Sequence, residues 1–330
     1  MTLHERPSLT VHPTATPDTG IRGAVRRRPM LWFFAGAMLL SWVAWTPYIL
    51  SETGLGVLDI RFPALLGTSQ LLGVLPGAYL GPITAALLVT AATGGRAGLR
   101  AWVARLTKWR VSWRWYAGIL LGVPAALVLA TLPLSGGDIR FPSATVLVAY
   151  LPVLVLQIVT TGLAEEPGWR DFALPRLQDR YGPLVGTLIL GPLWGVWHLP
   201  LFFSEWGGYP EISWLMMAEF VAGATTISLV MTWVFNRTGE SLPMALLLHV
   251  GINTFASVAG ADMFPTVDFQ HEAHRIPLIA SGVAAVIILI ATRGRLGHHR
   301  PAAPPATTPT LDPAVDPAVD PGQPLPKIPA

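Results

Sequence analysis

The chain has 330 residues, of which 52% are hydrophobic and only 12% charged, with a mean hydropathy of +0.51, 13 Trp and no Cys. Soluble domains carry roughly a quarter of charged residues, so an ordinary soluble domain is excluded, and the lack of Cys excludes a disulfide framework, a thiolate zinc site and a cysteine nucleophile. The net charge is +3, with 20 Arg against 2 Lys. These arginines lie between apolar runs, as membrane flanks do, so no nucleic-acid partner is expected.

Residues 1–28 begin with a Thr-, Pro- and His-rich stretch and end in Arg22, Arg26, Arg27 and Arg28. They are expected to form a disordered N-terminal tail, with too little apolar surface to offset the entropy of ordering. Apolar runs long enough for a bilayer, about 20 residues each, then follow at approximately 31–50, 64–92, 115–134, 144–164, 184–203, 212–235, 241–259 and 276–292. The first run is longer than the apolar part of a secretory signal and is read as a retained helix. The second is long enough to be one tilted helix, or one broken near Pro76 and Gly77.

Every even-numbered connection is basic: Arg96 to Arg114, then Arg170, Arg176 and Arg180, then Arg237, then Arg293 and Arg295. The odd-numbered ones carry mainly acids, such as Glu52, Asp138, Glu205 and Asp262. The pattern predicts an all-α, polytopic membrane bundle of about eight helices, in the cell membrane with both termini cytoplasmic. Residues 29–295 form this domain, and the Pro/Ala-rich 296–330 form a second disordered tail.

Ionisable side chains within the runs are costly and mark function. Glu165 and Glu166 close the fourth run, His198 lies in the fifth, Glu219 in the sixth, and His249 with Asn253 in the seventh. Glu166 and Arg170 have the favourable acid-first i,i+4 spacing and are expected to pair. Glu165 projects about 100° away around the helix and is the freer acid. Pro167 and Gly168 should bend or interrupt that helix, which implies a polar cavity beside Glu165. Trp194 shares a helical face with His198, and His249 shares one with Asn253. These groups could instead be structural hydrogen-bonding between helices. Glu219 is near the outer end of its run and suits an interfacial role, while His271, His274, His298 and His299 fall in loops or tails and are expected to be solvated.

The segments Glu165-Glu166-Pro-Gly-Trp-Arg170, Trp194-Gly-Val-Trp-His198 and His249-Val-Gly-Ile-Asn253 resemble the EExxxR, FxxxH and HxxxN/D motifs of the CPBP (CAAX protease and bacteriocin-processing, or Abi) intramembrane proteases, which include the type II CAAX prenyl endopeptidases. Trp194 stands where that pattern usually has Phe. The resemblance covers about residues 140–260 and implies an endopeptidase acting on a membrane-associated peptide or protein near the cytoplasmic leaflet. It implies that Glu165 activates the hydrolytic water, that Glu166 and Arg170 shape the site, and that His198, His249 and Asn253 complete it. Two mechanisms stay open. In one, Glu165, His198 and His249 hold a Zn2+ ion with an open water position, although HExxH is absent. In the other no cofactor is needed, Glu165 with His198 acting on the water and His249 with Asn253 on the oxyanion. Rival functions are a transporter or channel using the intramembrane acids, or a non-catalytic immunity protein.

The runs taken literally put Glu165 at the inner end of its helix but His198 ~20 Å and His249 ~12 Å along theirs. Convergence therefore requires either that helix four continue inward through Trp169, Phe172 and Leu174 or that helix five begin later than Pro183, and both adjustments are expected.

Overall fold

The computed structural model describes residues 20–298; residues 1–19 and 299–330, which make up most of the two expected tails, lie outside them. Among the described residues no β-strand occurs, and eight helices are long and apolar enough to cross a membrane. A short helix, α1 (Ile21–Arg27), precedes them within the stretch expected to be a tail. It is held by Arg22 and Arg26, whose Nε atoms donate to the carbonyl of Ala92 at 3.4 and 3.0 Å. The spans are α2 (Pro29–Leu50), α3 (Gln70–Leu106), α4 (Trp113–Thr131), α5 (Ala144–Tyr181), α6 (Pro183–Phe203), α7 (Trp214–Arg237), α8 (Leu242–Met263) and α9 (Arg275–Thr292). The protein is thus a multi-pass membrane protein, with all eight apolar runs recovered as helices.

Two of the expected breaks are absorbed by a change of winding. Helix α3 runs on past Pro76 and widens into a π turn at Tyr79–Ile83. Its sharp bend comes later, at Gly95, whose φ of 55° and ψ of −149° only glycine adopts readily. Helix α5 is likewise not interrupted at Pro167. It passes through π-wound segments at Ile158–Gly162 and Pro167–Ala173, on either side of the α-helical turn Leu163–Glu166. In a π turn each bond reaches one residue further back, which lets a helix carry a residue that ordinary winding would reject.

Small residues let the helices approach closely, as bundles in lipid require. A Cβ on Gly191 or Gly195 of α6 would fall 2.7 Å from the Cα of Thr225 and 2.9 Å from that of Val221, so α6 lies backbone to backbone on α7. Gly77 and Gly81 of α3 leave room for the side chains of Trp45 and Ser41 of α2. There Ser41 Oγ donates to the Gly77 carbonyl at 2.7 Å and Trp45 Nε1 to that of Val74 at 2.7 Å. At the centre lies α8, buried at every residue from Leu242 to Gly251. It begins inside the bundle: Ser241 is fully buried and its hydroxyl donates to the Lys108 carbonyl at 2.7 Å, while Lys108 Nζ donates to Gly239 O.

Candidate active site

The Pro167–Ala173 segment of α5 is clasped by α3. A Cβ on Gly168 would sit 2.6–2.7 Å from Pro82, so only glycine lets the helices meet there. Trp102 Nε1 donates to the Pro167 carbonyl at 3.0 Å, and the Arg105 guanidinium binds the buried Asp171 carboxylate as well as its backbone oxygen. This clasp fixes the rotation of the turn that bears both glutamates.

Consecutive on that turn, the glutamates diverge as helical geometry dictates. Glu165 faces a cavity of about 1040 Å³ that Trp194, His198, His249 and Asn253 also line. Its Oε2 accepts the Trp194 indole hydrogen at 2.8 Å and lies 3.8 Å from His198 Nε2. Glu166 is fully buried and turns into the protein. One oxygen accepts from His249 Nδ1 at 2.7 Å, and the other is 3.6 Å from Arg170 Nε. The expected Glu166–Arg170 pair therefore forms, but the closer partner of Glu166 is His249, from a helix that sequence spacing cannot connect to it. Arg170, also fully buried, donates to Ser228 Oγ at 3.1 Å and lies with its guanidinium carbon 4.3 Å from the centre of the Trp194 ring.

Hydrogen-bond partners fix the tautomers. His198 Nδ1 lies 2.9 Å from the Trp194 carbonyl, which can only accept, so Nδ1 carries the hydrogen and, when the ring is neutral, it turns an acceptor Nε2 towards Glu165. His249 Nδ1 must likewise donate to the Glu166 carboxylate, leaving Nε2 next to Asn253 Nδ2, 3.5 Å away. A second function of Nε2, donation, then requires the doubly protonated ring.

The depths also converge. Counting about 1.5 Å per residue from the Tyr181–Pro183 turn, Glu165 lies ~24 Å up α5 and His198 ~22 Å up α6. Helix α5 indeed continues through Trp169, Phe172 and Leu174. The other expected adjustment does not occur, since α6 begins at Pro183; it is the buried start of α8 that brings His249 level. The cavity reaches Thr68, Trp206 and His274, in or beside odd-numbered connections.

His274 was expected in solvent. Instead it packs against Phe202 and Phe220 at 5.2 and 5.3 Å between ring centres and lines the same cavity. Burial lowers its pKa to about 4, with the Glu219 charge opposing. Glu219 itself pairs with Arg275 at 3.0 Å. His298 is among the described residues, and His299 lies outside them.

A zinc ion does not fit the donor set. Among the described residues no three His, Asp or Glu side chains converge as metal ligands.

Residues 147–255 match the family model described as type II CAAX prenyl endopeptidase Rce1-like. A stretch of 139 residues, 41% of this chain, is 28% identical to CAAX prenyl protease 2 of Methanococcus maripaludis. That match covers 48% of the relative, so the chain spans about half the length of the curated protein it matches. The family match bears out the resemblance seen in the three motifs, and all six candidate residues lie within it.

Proposed function

We propose that this chain is an intramembrane endopeptidase of the CAAX-processing kind, which hydrolyses a peptide bond with a water activated by Glu165. The observation that carries this reading is the 3.8 Å gap between Glu165 Oε2 and His198 Nε2 at the wall of a common cavity, two acceptors set to share one water. Glu165 takes the proton of the water as its oxygen attacks the carbonyl carbon, and His198 Nε2 holds the water in line. Asn253 Nδ2 donates to the oxyanion that develops, joined by His249 Nε2 when that ring is doubly protonated. Glu166 holds His249 by Nδ1, and Arg170 balances the buried charge of Glu166. The proton on Glu165 then passes to the leaving amine, and no step needs a metal.

The cavity is walled largely by apolar side chains such as Leu71, Val74, Pro152 and Leu156. It suits a substrate presented by the bilayer, a lipidated or membrane-associated peptide or protein. The distribution of arginines supports cytoplasmic termini in a cell membrane, which leaves the cavity opening towards the opposite leaflet. The test is cleavage of a lipidated peptide by the detergent-purified protein, with and without stringent chelation. Cleavage should be lost in Glu165→Gln and survive chelation. Loss of wild-type activity on chelation, restored by zinc, would refute the metal-free mechanism.

A further inference from the structure

Trp194 touches Glu165, Arg170, His198 and His249 and belongs to none of the roles assigned above. Its indole hydrogen is donated to Glu165 Oε2 at 2.8 Å. Its ring lies under the Arg170 guanidinium at 4.3 Å and meets the His249 ring edge-on, 5.0 Å between centres and at 89°. Its own carbonyl accepts from His198 Nδ1 at 2.9 Å. The side chain is almost wholly buried, and its helix cannot turn: Gly191 and Gly195, three before and one after it, are pressed against the backbone of α7 at Thr225 and Val221.

We propose that Trp194 is a positioning residue for hydrolysis. Its N–H pins one oxygen of Glu165, so that the carboxylate cannot rotate, and the pinned group keeps one orientation towards the water between it and His198. The backbone carbonyl of the same residue fixes the ring of His198 on the other side of that water. A phenylalanine, the usual residue in the resembling motif, would keep the ring contacts with Arg170 and His249 but has no hydrogen to give Glu165. This chain therefore uses that position for an interaction that phenylalanine cannot make. The proposal rests on Glu165 being the base.

The decisive variants remove the donor and keep the shape. Trp194→Phe retains an aromatic ring, and site-specific replacement of Trp194 by benzothienylalanine, an indole isostere with sulfur in place of N–H, retains the whole outline. A hydrogen bond to a charged group corresponds to about 10- to 100-fold in rate. Both variants should lose kcat by that factor with KM unchanged, while the isostere keeps the wild-type melting temperature. Glu165→Gln is assayed in parallel: its inactivity secures the underlying mechanism, and then full kcat in the isostere, or a loss appearing in KM alone, overturns the positioning role. Full activity in Glu165→Gln overturns the base itself, and this role with it.

Discussion

Glu166→Gln is the perturbation whose cost the structure defines most closely. The side chain is fully buried, accepts a 2.7 Å hydrogen bond from His249 Nδ1 and faces Arg170 Nε at 3.6 Å. Once its charge is removed, the direct contacts of the equally buried Arg170 are neutral, Ser228 Oγ at 3.1 Å, Met231 Sδ at 3.3 Å and the Trp194 ring, and only the Glu165 carboxylate still acts on it through space. Removing one partner of a buried pair costs about 3–5 kcal/mol, because it strands the other charge. Melting of the detergent-solubilised protein, followed by tryptophan fluorescence, should report that loss, and peptide cleavage should fall with it as His249 is released. In Glu166→Gln with Arg170→Met both charges are gone, so much of the stability should return while activity does not. A loss below about 1 kcal/mol, the scale of an exposed pair, or a double variant less stable than the single one, would refute the claim that each charge is buried chiefly to balance the other.

Asn253→Ala should lower kcat by about 100- to 1000-fold with little change in KM, as expected for an oxyanion donor; steady-state cleavage kinetics check this. Gly168→Ala puts a methyl group within 2.7 Å of the Pro82 backbone, so the α3–α5 contact must open, and both melting temperature and activity should fall. For His274, burial holds the folded-state pKa near 4 against 6.5 in the unfolded chain. Between those values the unfolded chain binds the extra proton, so stability should decline as pH falls from 6.5 towards 4 and should rise again with pH over the same window; His274→Phe should flatten that part of the melting profile. Since the native chain has no Cys, single cysteines report sidedness cleanly. Asp138→Cys should react with an impermeant maleimide on intact cells, whereas Ser112→Cys should react only after permeabilisation, and the reverse pattern would invert the proposed orientation.

The number and order of the spans were legible because the length of an apolar run is a one-dimensional property and each run here is bounded by charge. Their depth was not. Glu165 looked like the end of a helix because Pro167 and Arg170 follow it, yet π winding and the clasp of Gly168, Trp102 and Arg105 carry α5 on to Tyr181. Five of the six candidate residues were visible as polar groups placed where lipid should be, and Arg170 by its spacing from Glu166. Their pairings were not, since His249 with Glu166 and Trp194 with Glu165 join separate helices whose rotation is set by packing. His274 was misjudged because its position just before a helix says nothing of Phe202 and Phe220, which close over it. Trp194 offered one clue, an aromatic residue with a hydrogen-bond donor four positions before a histidine.

The single tight turn that bears both glutamates lies between two loosely wound stretches, Ile158–Gly162 and Pro167–Ala173. Each loose stretch stores the slack of an extra residue, so the phase of the acids around the helix is set locally rather than inherited from the ends of the span. Excising a residue from the tight turn itself would swing whatever lies beyond it by about 100°, bringing one carboxylate into the place of the other and carrying that other away from its partners. A one-residue deletion in that turn is therefore expected to disturb the site more than a longer deletion in a surface loop.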